Sequence, residues 1–128
     1  MTEQDVTDWL RRYGDAWVGG DPDAVVRLFT ADATYRETPF DEPMRGADAI
    51  RAYWREGAAD GQTDVSFSST VWGVRKADAF AHWKAAFTRV ASGRRVELDG
   101  SFHLTLVEDG GELRCAALRE WWHRRETD

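Results

Sequence analysis

Among the residues able to move protons, Glu37 stands out by its neighbours. It lies between Tyr35 on one side and Pro39 and Phe40 on the other. A carboxyl enclosed by such groups suits general acid or base work, because desolvation opposes the charged form of a carboxyl. The competing reading is a solvated turn carboxylate paired with Arg36 or Arg45. Tyr13 falls on an apolar helical stripe, where a tyrosine either packs with its hydroxyl at the rim of the core or offers that hydroxyl to a ligand. His82, His103 and His123 are widely spaced and form no H-x-H or H-E-x-x-H arrangement, so no metal site is expected. Cys115 stands beside Ala116 and Ala117 and reads as packing. No glycine loop of phosphate-binding type occurs, and no cofactor is expected.

The elements that position these groups follow from periodicity. Over 3–18, Val6, Trp9, Leu10, Tyr13 and Trp17 share one stripe of an amphipathic helix. Thr2 and Asp5 resemble a capping box at its start, and Gly19-Gly20 stops it. Asp21-Pro22 opens a second, short helix over 22–29, as an N-cap followed by proline at the first helical position. The run 33–38 reads as one strand closed by Pro39. Gly46 opens a third helix with Ala47, Ile50, Tyr53 and Trp54 on one face, ended by Gly57 and the segment after it.

From Gln62 the period changes to two, and four long strands are predicted near 63–76, 79–91, 94–107 and 112–124. Their short connections require antiparallel neighbours. The fold class is therefore α+β, in the order α-α-β-α-β-β-β-β, with a curved sheet whose one face is covered by three helices. On the third long strand Val96, Leu98, Gly100, Phe102, Leu104 and Leu106 form the core face, and Asp99, Ser101 and His103 the other. For the strand carrying Trp83, Phe87 and Arg89 the inward face is provisional, and for the one carrying Leu118 and Glu120 the pattern selects neither face.

Composition limits the function classes. A chain of 128 residues, 42% hydrophobic with seven tryptophans, is sized for one domain with its own core. The net charge of −6, from 17 basic and 23 acidic residues, opposes nucleic acid or an anionic membrane surface as partner. No apolar run reaches the ~20 residues of a membrane span. One cysteine and a polar N-terminus lead to the expectation of a cytoplasmic protein.

The helix with Tyr13, the GGDPDAVVRLF link, the LFTADATYRE turn into a strand and the GADAIRAYW helix together resemble the nuclear transport factor two-like superfamily, which includes SnoaL-like cyclases and ketosteroid isomerases. The resemblance implies a cone-shaped fold in which a bent sheet, antiparallel except at a mixed edge, wraps the helices around an apolar pocket. It places Tyr13 where the isomerases have a tyrosine that donates to a developing oxyanion, and Glu37 where they have the carboxylate that shuttles the proton. The protonated aspartic acid that assists the tyrosine falls at Phe102 here, a departure that removes half of that oxyanion hole. In the same register Arg89 and Glu120 look into the pocket, as a polar clamp for substrate or as an ion pair closing the mouth.

The expected ligand is a small apolar molecule held against Trp17, Trp54 and Trp83, with Phe40, Phe87, Phe102 and Leu118 completing the apolar wall. Two functions stand. One is a cofactor-independent acid/base enzyme of isomerase, cyclase, dehydratase or hydrolase type; the other is a non-catalytic ligand-binding or dimerisation module of the same fold. Trp121-Trp122 must point to opposite sheet faces. A large aromatic on the outer face, together with the resemblance, leads to the expectation of a homodimer through that face.

Overall fold

The computed structural model describes residues 1–127. Helix α1, Glu3–Val18, begins on a reciprocal cap. The Thr2 hydroxyl accepts from the Asp5 N–H at 3.1 Å and the Asp5 carboxylate accepts from the Thr2 N–H at 2.8 Å. Its apolar stripe is fully buried from Val6 to Tyr13. Helix α2, Pro22–Val26, is capped by the Asp21 carboxylate, which accepts from Ala24 N–H at 3.1 Å. It ends three residues earlier than its apolar content suggests, because strand β1, Phe29–Arg36, is already paired with the last strand and Cys115 N–H donates to Leu28 O at 2.8 Å. Long-range pairing here overrides local helix propensity.

A two-residue strand β2, Met44–Arg45, pairs with Thr34 and Tyr35 and converts the turn containing Pro39 and Pro43 into a hairpin. Such a short strand leaves no periodicity to read. Helix α3, Gly46–Trp54, then runs into a π-helical turn, Arg55–Ala59, so Gly57 lies inside a continuous helical segment. The long strands are β3 Gln62–Arg75, β4 Asp78–Arg89, β5 Arg95–Asp109 and β6 Glu112–Thr127.

The six strands form one sheet in the order β2-β1-β6-β5-β4-β3. Only β1 and β6 run parallel among these neighbours; every other pair is antiparallel. This is the α+β architecture expected, extended by β2. Register shifts interrupt β3 against β4 twice, β5 against β6 once and β1 against β6 once. Extra residues of this kind bend and twist strands, and the concave face so formed receives α1 and α3.

The core sits between that face and the helices. Ala81, Trp83, Ala85 and Phe87 of β4, and Val96, Phe102 and Leu104 of β5, all point into it. On β6 the shift between Thr105 and Leu106 places Ala116 out of register, so Cys115 and Leu118 are both buried, followed by Glu120. Simple alternation cannot select a face across such a bulge. Tyr13 is the hub of the aromatic packing, with ring centroids 5.4 Å from Trp54, 5.5 Å from Trp9 and 5.5 Å from Phe102.

Candidate active site

A cavity of about 230 Å³ opens between α1, α3 and the concave sheet. Helices α1 and α3 and most of the strands contribute to its lining. From α1 come Tyr13 and Trp17, from β1 Tyr35, from α3 Tyr53 and Trp54, and from the π-helical turn Gly57 and Ala58. Trp83, Phe87 and Arg89 line it from β4, and Leu98 from β5. Strand β6 supplies Glu120, Trp122 and Arg124, while Glu37 enters from the bend directly after β1.

The Tyr13 and Tyr35 hydroxyl oxygens are 2.9 Å apart and both residues are buried. One phenol donates to the other, so a single phenolic proton is left over for a ligand. Burial first, and the charge of Glu120 second, hold both phenols well above the ordinary tyrosine range; both are therefore hydrogen-bond donors at any physiological pH. Tyr53 donates to Glu37, and burial, Glu120 and Glu37 in that order raise it as well.

Glu120 is the carboxyl that the fold encloses. It is 6% exposed, and burial followed by the negative charge of Glu37 pushes it up to about 8, against a hydrogen bond from Trp122 that acts in the opposite direction. None of the influences on it is cationic. It sits directly across β5 from Phe102. A protonated acid was expected from the resemblance at the Phe102 position; the cavity instead receives its acid from the neighbouring strand, on the same face. The sequence signal was present in the parity of Leu118 and Glu120, but the bulge at Ala116 concealed it.

Several expected placements differ. Phe40 is 92% exposed in the turn after Pro39 and does not reach the cavity, because its segment is held by short polar contacts such as Phe40 N–H to the Thr38 hydroxyl at 3.3 Å. Phe102 and Leu118 are buried beneath the cavity without lining it; Phe102 stacks on Trp83 at 5.1 Å instead. Arg89 does not pair with Glu120: its Nε lies 3.8 Å from Glu126 Oε1, three inward positions further along β6 than Glu120. Arg36 donates to Asp41 O at 2.7 Å rather than to Glu37. Tyr35, Trp122 and Arg124 are lining residues that the periodicity did not single out, and Tyr53, placed by it on the apolar face of α3, joins them.

The histidines lie elsewhere. His82 Nε2 is 2.6 Å from Asp99 Oδ1 and His103 Nε2 is 3.0 Å from Asp78 Oδ1, both on the outer sheet face. Hydrogen bonds from these rings hold both aspartates below the usual range. Cys115 is buried, and burial pushes its thiol up to about 12, which removes it as a nucleophile at neutral pH.

The SnoaL-like domain family matches residues 10–114. The chain belongs to this family. Solved structures of the SnoaL-like fold agree with it over nearly the full length. A hexachlorocyclohexane dehydrochlorinase, LinA type 2, superposes with a TM-score of 0.81 at 7% identity, covering 98% of this chain and 88% of the other. The epoxide hydrolase/cyclase-like enzyme SalBIII, described in pyran ring formation in the polyether salinomycin, gives 0.77 at 22% identity, with 94% and 92% covered. A nuclear transport factor two-like superfamily protein from Salmonella enterica gives 0.77 at 15% identity, with 93% and 89% covered. A search of proteins with curated function returns no match. The SnoaL-like domain thus brings a shared fold, whose neighbours include enzymes of elimination and ring closure.

Proposed function

We propose that this SnoaL-like protein is an acid/base enzyme that moves a proton on a small, mostly apolar substrate carrying a carbonyl or related oxygen. The supporting observation is the pair of carboxyls in one cavity: Glu120, enclosed and pushed up to about 8, and Glu37, half-buried at the edge, whose negative charge helps to hold the proton on Glu120. A carboxyl beside a second one that holds its proton can serve as base to the other's acid in one turnover.

In this reading Glu37 takes a proton from the carbon adjacent to the substrate's carbonyl carbon. The C–H electron pair flows towards that oxygen, and the charge developing there is met by the free phenolic proton of the Tyr13–Tyr35 pair and by the Glu120 acid. Return of the proton from Glu37 to a different carbon completes an isomerisation. Departure of a neighbouring hydroxyl with the proton of Glu120 completes a dehydration instead. Dehydrochlorinase and cyclase neighbours on this fold support the same class of step, in which little beyond positioned acids and bases is required.

The test is deuterium incorporation from heavy water into a panel of small ketones and keto acids, followed by NMR. Wild-type protein is expected to exchange the carbon-bound proton above the buffer rate, and Glu37→Gln and Glu120→Gln each to slow exchange at least ~100-fold while remaining folded. Variants as fast as wild type would remove both roles. Ligand binding without any exchange would instead make the protein a binding module.

A further inference from the structure

The inner face of β6 measures the cavity. Glu120, Trp122, Arg124 and Glu126 lie on it in succession, opposite Phe102, Gly100, Leu98 and Val96 of β5. At a rise of about 3.3 Å per residue, Glu120 and Arg124 are separated by roughly 13 Å along the strand. The cavity therefore has an acid at its closed end and a cation at its open end. Between them the wall is apolar, made by Trp83, Phe87 and Leu98.

Two cations line the cavity, and they differ. Arg89 is engaged by Glu126 at 3.8 Å and lies 5.7 Å from the Phe87 ring centroid. The Arg124 side chain has no hydrogen bond or ion pair among the described residues; it is exposed at the mouth and adjacent in register to Leu98. A guanidinium in that position offers its planar fork of N–H groups to an incoming carboxylate. Further polar groups of the lining are donors as well, and suit an oxygen-bearing ligand. The indole N–H groups of Trp54 and Trp83, both cavity-lining residues, are buried with no acceptor in the protein, and the Tyr13–Tyr35 pair has one proton to spare. Unpaired donors of this kind are relieved by oxygen acceptors, which an amine does not supply. The volume of about 230 Å³ lies below the about 300–1,000 Å³ of sites for drug-sized ligands, so the ligand is compact.

We propose that the cavity takes a compact apolar carboxylate, its body against Trp83, Phe87 and Leu98, its carboxylate on Arg124 at the mouth, and its reacting carbon at the Glu120 end. The acid/base reading enters only through the last of these placements; the preference for an anion is a property of binding and is measured without turnover.

Tryptophan fluorescence supplies the readout, since Trp17, Trp54, Trp83 and Trp122 all line the cavity. Wild-type protein is titrated with hydrocinnamate and with its neutral carboxamide, hydrocinnamamide, and the titrations are repeated with Arg124→Gln. Hydrocinnamate is expected to bind wild type at least about tenfold more tightly than the amide, a difference of about 1.4 kcal/mol. Arg124→Gln is expected to abolish that preference while changing amide affinity little. Equal affinities in wild type, no binding of hydrocinnamate up to millimolar concentration, or a preference that survives in Arg124→Gln would each overturn the proposal. Glu120→Gln separates the two claims. A variant that loses exchange yet keeps the carboxylate preference upholds both, whereas undiminished exchange in Glu120→Gln removes the acid/base role and leaves the anion site standing.

Discussion

A carboxyl that is 6% exposed and has no ion-pair partner among the described residues keeps its proton, and for Glu120 that tendency extends to about pH 8. In the unfolded chain the same group titrates near 4.5. Between these values the folded state binds the additional proton, so the contribution to stability is complete below the unfolded value and is lost as pH rises through about 8. The loss amounts to roughly 3–5 kcal/mol. Glu120→Gln retains the shape and removes the titration. Urea unfolding at about pH 5 and about pH 9 is expected to show wild type weakening across this window while the variant changes little; parallel behaviour of the two proteins would mean that Glu120 is not held protonated by the fold. The same burial that makes Glu120 useful as an acid thus makes the protein less stable in alkali.

Two glycines determine how closely the elements around the cavity approach. Gly14 lies in the middle of α1, where a Cβ would stand 2.5 Å from Phe67 Cδ1. The gap lets β3 lay Phe67 across the helix, where its ring meets Tyr13 at 5.6 Å and Trp83 at 6.2 Å. Gly100 on β5 faces the β6 backbone so closely that a Cβ would strike the Trp121 carbonyl oxygen and the Trp122 Cβ. That approach seats Trp122 between Glu120 and Arg124 on the inner face. Gly14→Leu and Gly100→Val are each expected to lower the unfolding free energy by about 1–3 kcal/mol, the usual cost of overpacking, measured by urea denaturation. A neutral result at Gly100 would show that the strand pair relaxes freely. Periodicity located both elements but not their spacing, because a glycine in a helix or strand reads equally as a weak position and as a contact point.

The convex side of the sheet carries exposed aromatic rings: Trp72 at 64%, Trp121 at 49% and Phe80 at 40% exposure. Trp72 stacks on His82 at 5.3 Å and Phe80 on His103 at 4.7 Å, and each histidine is held by an aspartate. This braced, partly apolar surface supports the homodimer that Trp121-Trp122 led us to expect, and we propose a second copy of the chain as its partner. Light scattering at micromolar concentration is expected to report a dimer, and Trp72→Ser combined with Trp121→Ser a monomer that still binds ligand in the cavity; a monomeric wild type would refute the interface. No helix among the described residues is long and apolar enough to cross a membrane.

Periodicity, capping residues and turn composition were sufficient for the α+β order, the buried stripe of α1 and the inward face of β5, because each depends on residues close together in the chain; the apolar cavity beside Glu37 was an expectation of the family resemblance. The rest depends on partners distant in sequence. The two-residue β2 exists only through its pairing with Thr34 and Tyr35. Phe40, apolar by type, stays in solvent because no element packs over its turn. Glu120 became the enclosed acid because the bulge at Ala116 set the parity of β6 and placed it opposite Phe102 of the adjacent strand. A strand's inward face is a two-way choice, and here it was made by register across the sheet, which local sequence does not encode.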